Sequence, residues 1–174
     1  MKSMNIAVLL IICTSIAGCE RPNSAARAPT QEAAVATAPA AARVDNLVRN
    51  VVADNMLFQP EVARIDGNTL VSTGKAGFMM FGPYVPFAPG TYHVTVQGSI
   101  PSLDTGSEVR FDAVSDTASS VHGEHVVNTI IPTPGTIAEF NITIPDGVDD
   151  LELRAYVTKG AVVRIESYRV VKAD

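Results

Sequence analysis

The densest cluster of potential metal ligands in this 174-residue sequence is His122-Gly123-Glu124-His125, which brings two imidazoles and a carboxylate within four residues. A metal site needs such clustering, but it also needs a third or fourth ligand in the correct position. The third histidine, His93, is distant in the sequence. We therefore interpret His122, Glu124 and His125 as weak metal candidates in a solvated loop, and we predict no metal site.

Two other stretches are rich in oxygen ligands. One contains Asp66 and Asn68, and the other contains Asp146, Asp149 and Asp150. Neither stretch has the spacing of a dedicated calcium-binding loop. Because Asp and Asn side chains hydrogen-bond to nearby backbone, they also favour turns. We expect ordinary turns here and no cofactor, with a structural calcium ion as the alternative.

The sequence contains no recognisable catalytic motif. It has no Gly-x-Ser-x-Gly elbow, and its three histidines are the only candidates for a histidine base. Carboxylates such as Asp112 and Asp116, or Glu139 and Glu152, have no spacing that marks a catalytic pair. The sequence therefore predicts a protein without enzymatic activity, and a small hydrolase is the least favoured alternative.

Five side chains could instead bind a glycan. Sugar recognition uses aromatic faces for sugar rings and planar polar groups for hydroxyls. Side chains alternate between the two faces of a strand, and the candidates on outward sides are His93, Arg110, Asp112, Arg154 and Tyr156. If their strands lie side by side, these residues share one polar surface. The alternative is that the arginines pair with neighbouring carboxylates as ordinary surface charges.

Alternation also identifies the elements that would position these residues. After Pro60, short alternating runs are separated by turn residues, which indicates antiparallel strands. Many short strands at even spacing predict an all-β fold, an antiparallel β-sandwich or jelly roll. We predict strands over residues 61–65, 69–73, 77–81, 91–98, 108–114, 125–131, 137–144, 151–159 and 162–171. The predicted core comprises Tyr92, Val94, Val96, Val109, Phe111, Ala113, Leu151, Leu153, Ala155 and Val157.

Residues 44–56 are ambiguous. Their apolar positions fit a helical stripe, but Val44, Val48 and Val52 also share a parity that a strand would allow. The number of matching positions favours a helix, and a first strand is the alternative.

Two segments resemble recurrent parts of galactose-binding-like jelly rolls of the kind found in carbohydrate-binding modules. The run from Gly82 to Val94 resembles a segment that joins two strands through a tight turn. The run from Leu151 to Gly160, followed by Val163-Arg164-Ile165, resembles the closing hairpin. The likeness implies this fold for most of residues 60–174, but these are fold motifs and do not identify a ligand.

The N-terminus is typical of a secretory signal peptide. The apolar run over residues 6–12 is much shorter than the roughly 20 residues that a membrane-spanning helix needs. Ile16-Ala17-Gly18-Cys19 resembles the bacterial lipobox, whose cysteine carries a diacylglycerol. We predict a signal peptide over 1–18 and lipid attachment at Cys19; the alternative is an ordinary signal peptide with an incidental cysteine. By resemblance to Gram-negative lipoproteins, Glu20 favours the outer membrane.

The next segment, 19–42, is rich in Ala, Pro and Thr and cannot bury enough apolar surface to fold. We predict a flexible tether there and one domain over 43–174. Loss of residues 1–18 removes one lysine and no acid, so the net charge moves from −5 to −6. Because this acidic chain has no basic cluster, it is a poor nucleic-acid binder, and membrane attachment would come from the lipid.

These features predict a non-enzymatic lipoprotein anchored to the outer membrane, with a sandwich domain that binds carbohydrate or an envelope partner. The alternative is a structural accessory subunit that docks to another envelope protein. Sugar binding predicts exposed aromatic rings beside Arg154 and Asp112, whereas docking predicts an exposed apolar patch.

Overall fold

The computed structural model describes residues 42–173, and the secondary structure in that range consists of eleven β-strands and no helix. The predicted signal peptide, Cys19 and nearly all of the tether lie outside the described residues. The strands are β1 (Asn46–Asn50), β2 (Ala63–Asp66), β3 (Thr69–Ser72), β4 (Gly77–Met80), β5 (Pro83–Phe87), β6 (Gly90–Leu103), β7 (Val109–Ser115), β8 (Ser120–Val127), β9 (Ile131–Ile144), β10 (Val148–Val157) and β11 (Ala161–Lys172). Within residues 42–173, nothing has the length and apolar character of a membrane-crossing helix.

The strands form two antiparallel sheets. The six-stranded sheet has the order β2-β3-β11-β6-β9, with β1 also paired to β11. The five-stranded sheet has the order β4-β10-β7-β8, with β5 also paired to β10. The predicted all-β sandwich is therefore confirmed.

The core contains the inward sides of both sheets. Every residue of the predicted core is at most 2% exposed, because alternation turns one side of each strand inward. Two of the buried rings, Phe87 and Tyr92, pack edge to face with centroids 5.2 Å apart. The Tyr92 hydroxyl donates to the carbonyl of Ala88 at 2.7 Å. Burial raises the pKa of Tyr92 to about 12.

The helix favoured for residues 44–56 is wrong. Residues Asn46–Asn50 form β1, which pairs antiparallel with Ser167–Val171 of β11, and hydrogen-bonded turns follow. Leu47 faces the core, whereas Val48 is 57% exposed. The spacing of the apolar residues by itself was compatible with a helix and with a strand. The unpaired edge of β11 supplied backbone hydrogen-bond partners that favour a strand.

Several other predictions differ from the structure, including the start of β9, which lies at Ile131 instead of residue 137. β8 covers Ser120–Val127 instead of 125–131, so the chain after it turns earlier than predicted. The sequence analysis also missed β5, which carries Pro83 and Pro86. Proline cannot donate a hydrogen bond to a sheet, and this composition concealed a strand that pairs with β10 and also meets Val44 in an isolated bridge at Phe87.

Candidate functional site

The outer face of the five-stranded sheet carries rows of side chains that run across the strands. The first row contains Phe78 of β4, Tyr156 of β10, Arg110 of β7 and Val126 of β8, which are successive register partners. Because neighbouring strands lie about 4.8 Å apart, this row spans about 14 Å. The second row contains Arg154, Asp112 and Glu124. We call this surface the outer face.

The centre of the outer face is an ion pair between Arg154 and Asp112. Nε and Nη2 of Arg154 each donate a hydrogen bond of 2.8 Å to a different carboxylate oxygen of Asp112. The Asp112 side chain is only 5% exposed and that of Arg154 is 17% exposed. The hydrogen bonds to Asp112 raise the pKa of Arg154 above its already high usual value. Such a bidentate pair fixes both side chains.

Guanidinium groups of both rows contact the two aromatic rings of the first row. The guanidinium of Arg154 lies 4.9 Å from the ring centre of Phe78, and that of Arg110 lies 5.2 Å from the ring centre of Tyr156. The two rings meet edge to face at 5.3 Å. The two guanidinium-to-ring distances are those of cation–π contacts. The rings are therefore held in place while remaining partly exposed.

A depression of about 200 Å3 lies beside this row. It is lined by Gln59, Phe78, Phe81, Glu152 and Arg154. The Tyr84 hydroxyl donates to Oε1 of Glu152 at 3.1 Å. The pKa of Tyr84 is raised, mainly because burial removes water from its hydroxyl and secondly because the charge of Glu152 lies nearby. The ring of Tyr84 stays accessible, since the residue is 48% exposed.

The structure brings together four of the five sequence-predicted binding residues and separates the fifth. Arg110, Asp112, Arg154 and Tyr156 share the outer face, but His93 lies on β6 of the six-stranded sheet. Strands β6 and β7 are consecutive but belong to different sheets, so the assumption that all the strands are neighbours fails for His93. Its Nε2 lies 2.7 Å from Oε1 of Glu139, and its Nδ1 lies 3.0 Å from Oδ1 of Asn141. The hydrogen bonds to Asn141 and Glu139 raise the pKa of His93.

Three polar residues on the outward sides of their strands are buried. Thr95, Asp112 and Glu152 are 2%, 4% and 9% exposed, respectively. For Asp112 the reason is the guanidinium of Arg154, which covers its carboxylate. The outward parity of Asp112 was correct, and its burial results from the longer side chain of Arg154.

The histidine-rich segment does not form a metal site in the described residues. Glu124 lies on the outer face near Arg110, whereas His125 stacks on Phe140 of β9 with ring centres 5.8 Å apart. His122 Nε2 lies 2.8 Å from Oγ of Ser115. Among residues 42–173, no group of three His, Cys, Asp or Glu side chains could hold a metal ion.

The oxygen-rich turns have local partners. Asp66 pairs with Arg164 at 3.1 Å and Asp149 pairs with Arg43 at 3.2 Å. The carboxylate of Asp150 accepts from the backbone N–H of Asp116. These contacts are those expected of charged turns.

Two larger clefts are formed by described residues elsewhere. One of about 590 Å3 lies between residues 103–108 and 128–130. The other, of about 560 Å3, lies beside Asn50, Asn68 and Glu166. Neither is lined by an aromatic ring or a cationic side chain. Ligand sites combine apolar surface with a few placed polar groups, so the smaller depression is the stronger candidate.

Sequence reasoning missed several members of the site. Phe78, Phe81, Gln59 and Glu152 were not among the binding candidates, although Phe78 lay in a correctly predicted strand. Strand order decided their proximity, because β4 and β7 both pair with β10. The signal available in the sequence was alternation along β4: Phe78 lies on the outward side of the strand because the next residue, Met79, is buried on the inward side.

Comparison with known proteins gives structural matches only. No protein-family description and no curated protein matches the chain. The C-terminal CBM6 of LamC, a laminarinase from Zobellia galactanivorans, is similar with a TM-score of 0.52 and 16% identity, over 73% of this chain and 99% of that one. A carbohydrate-binding module of Cellvibrio mixtus lichenase 5A, in complex with cellotriose, gives 0.48 and 12% identity, over 74% of this chain and 98% of that one. The first match shows a shared fold, the jelly-roll sandwich.

Proposed function

We propose that this protein is a non-catalytic carbohydrate-binding lipoprotein, and that it binds glycans on the outer face of the five-stranded sheet. The observation that carries the proposal is the row of partly exposed rings and guanidinium groups beside a depression that contains a nearly buried carboxylate. Aromatic surface with a few placed polar groups is the combination that sugar recognition requires.

Each part of the outer face has a role in this proposal. The rings of Phe78 and Tyr156 offer apolar surface to a sugar ring, and Tyr84 borders the same region. The carboxylate of Glu152 accepts hydrogen bonds from sugar hydroxyls, while Arg110 donates to sugar oxygens. The pair of Arg154 and Asp112 holds the surface in shape, because both of its hydrogen bonds are internal.

The shared fold supports the proposal indirectly. The similar structure with the highest of these TM-scores is the CBM6 module of a laminarinase. One fold hosts many functions, so the support for a glycan ligand comes from the side chains of the outer face.

The proposal also includes a cellular location. The lipobox-like Ile16-Ala17-Gly18-Cys19 and the Ala/Pro-rich tether support a chain anchored by lipid on Cys19. The residue after the cysteine, Glu20, supports the outer membrane.

The test is a glycan array probed with the full chain purified in detergent. On the glycan retained best, Tyr156→Ala and Tyr84→Ala should each weaken binding by about fivefold or more, because aromatic anchors dominate such sites. His93→Ala is the matched control on the other sheet and should bind like the parent. An array without any retained glycan, or equal effects of all three variants, would refute the proposal.

Docking to an envelope protein is a second candidate, favoured by exposed apolar residues along and after β8. Val121, Val126 and Ile130 are 64%, 42% and 54% exposed. The two valines lie on the outer face on either side of Glu124. Under this function, Val121→Glu should abolish cross-linking to an envelope protein in intact cells and leave glycan binding unchanged. Loss of glycan binding alone would contradict it.

A further inference from the structure

The two arginines of the outer face are held in different ways. Arg154 uses two of its donors on Asp112. Arg110 has a buried Nε without a hydrogen-bond partner among residues 42–173, and its side chain is 36% exposed. Because Nε is buried, the Arg110 donors that can reach solvent are its terminal Nη groups. Stacking on Tyr156 holds this guanidinium over the first row.

Two carboxylates lie near the positive charge of Arg110 without accepting a hydrogen bond from its N–H groups. Its Nε lies 3.6 Å from Oε2 of Glu124 and 3.8 Å from Oδ2 of Asp112. These separations favour the charge but are too long for good hydrogen bonds. Asp112 is already bound by Arg154, whereas the Glu124 side chain is 49% exposed. Glu124 is therefore the carboxylate that a ligand on Arg110 would meet.

The balance of charge on this surface is negative. Arg110 and Arg154 contribute two positive charges, and Asp112, Glu124 and Glu152 contribute three negative ones. A carboxylated sugar that reached Arg110 would come close to the carboxylate of Glu124, and like charges at short range are unfavourable. An oxygen of a neutral sugar would accept a hydrogen bond from Arg110, and one of its hydroxyls would donate a hydrogen bond to Glu124, without this repulsion.

We propose that Arg110 and Glu124 are the specificity-determining pair of the outer face: Arg110 donates to a glycan lying on Tyr156, and Glu124 excludes carboxylated sugars. This inference rests on the proposed function and adds the residues that select the ligand. Discrimination by a repulsive group next to an attractive one is a common way of achieving specificity.

The experiment measures binding of the full chain in detergent to surfaces coated with matched polymers. One pair is laminarin and laminarin oxidised to carboxylates at its primary hydroxyls. The other pair is hydroxyethylcellulose and carboxymethylcellulose. The parent should bind the neutral member of a pair more tightly than the carboxylated one.

Glu124→Gln should raise affinity for the carboxylated polymer by about twofold to fivefold, the range expected of an exposed charge interaction. Glu166→Gln, which removes the same charge from an exposed position on β11, is the control and should leave the preference unchanged. Arg110→Lys keeps the charge but loses the planar fork, so it should weaken neutral binding by about fivefold. Its melting temperature should stay within about 2 °C of the parent, as expected for a surface substitution.

Any of the following results would overturn the inference: equal preferences for Glu124→Gln and Glu166→Gln, parent-like binding by Arg110→Lys, or equal binding of the parent to both members of a pair. Binding to neither pair would also overturn it. The proposed function is decided separately, by the glycan array and the Tyr156→Ala variant.

Discussion

Removal of Asp112 should destabilise the domain far more than removal of any exposed carboxylate. Asp112→Ala deletes two charge-assisted hydrogen bonds of 2.8 Å and leaves the guanidinium of Arg154 without its partner. Hydrogen bonds to charged groups contribute about 1.5–3 kcal/mol each. The 17% exposure of the Arg154 side chain allows partial rehydration, so we discount the sum and expect a loss of about 2–3 kcal/mol.

This loss corresponds to a decrease of about 10 °C in melting temperature for a domain of about 130 residues. Circular dichroism melting and urea unfolding of the detergent-purified chain measure it, with Glu124→Gln as the control that should change stability by less than about 0.5 kcal/mol. By the same reasoning, Arg154→Ala must also destabilise the domain, because it would leave the buried carboxylate of Asp112 without its partner.

A double variant tests the cause. If the cost of Asp112→Ala is an unpaired charge, then Asp112→Ala/Arg154→Met should recover most of the lost stability, to within about 1 kcal/mol of the parent. Methionine keeps apolar contact with the ring of Phe78. A stability loss below about 0.5 kcal/mol for Asp112→Ala, or a double variant less stable than either single one, would refute the reasoning.

Four other predictions follow from single features. Gly98→Ala should lower the free energy of unfolding by about 3 kcal/mol or more, because a Cβ there would collide with a backbone carbonyl of β11. Its register partner Gly135 has free space, so Gly135→Ala should be nearly neutral. Equal melting curves for the two variants would contradict this. His93 should titrate above the usual value of about 6.5 in an NMR titration, so its stabilisation is present at lower pH and disappears as the pH rises through the raised pKa; unfolding free energies of His93→Gln compared with the parent across pH 5–9 test the sign. Intact mass of membrane-extracted protein should show acylation at Cys19, and a free amine there would exclude it. A fragment over 43–174 should melt cooperatively in chelator, and unfolding by chelator would indicate a structural metal.

The sequence by itself determined the fold class and the inward side of most strands. Alternation identified Tyr92, Phe111 and Leu153 as core residues, because strand geometry turns every second side chain to the same face whatever the partner strand is. It also determined that Arg110 and Arg154 lie on outward sides. These properties are local, and a single strand carries them.

Only the tertiary structure decided which strands are neighbours. The pairing of β10 with both β7 and β4 brings Arg110, Tyr156 and Phe78 into one row, although Phe78 lies far from the others in the sequence. The same topology places β6 in the other sheet and separates His93 from them. Register and sheet order depend on contacts between distant segments, so no local pattern contains them.

Tertiary packing also decided two local questions that the sequence left open. Residues 46–50 became a strand because β11 offered unpaired backbone groups, and tertiary context overrides weak helical periodicity. Asp112 became buried because Arg154 lies over it. The candidate site is thus composed of residue types visible in the sequence, but its geometry arises from the way the sandwich brings four strands together.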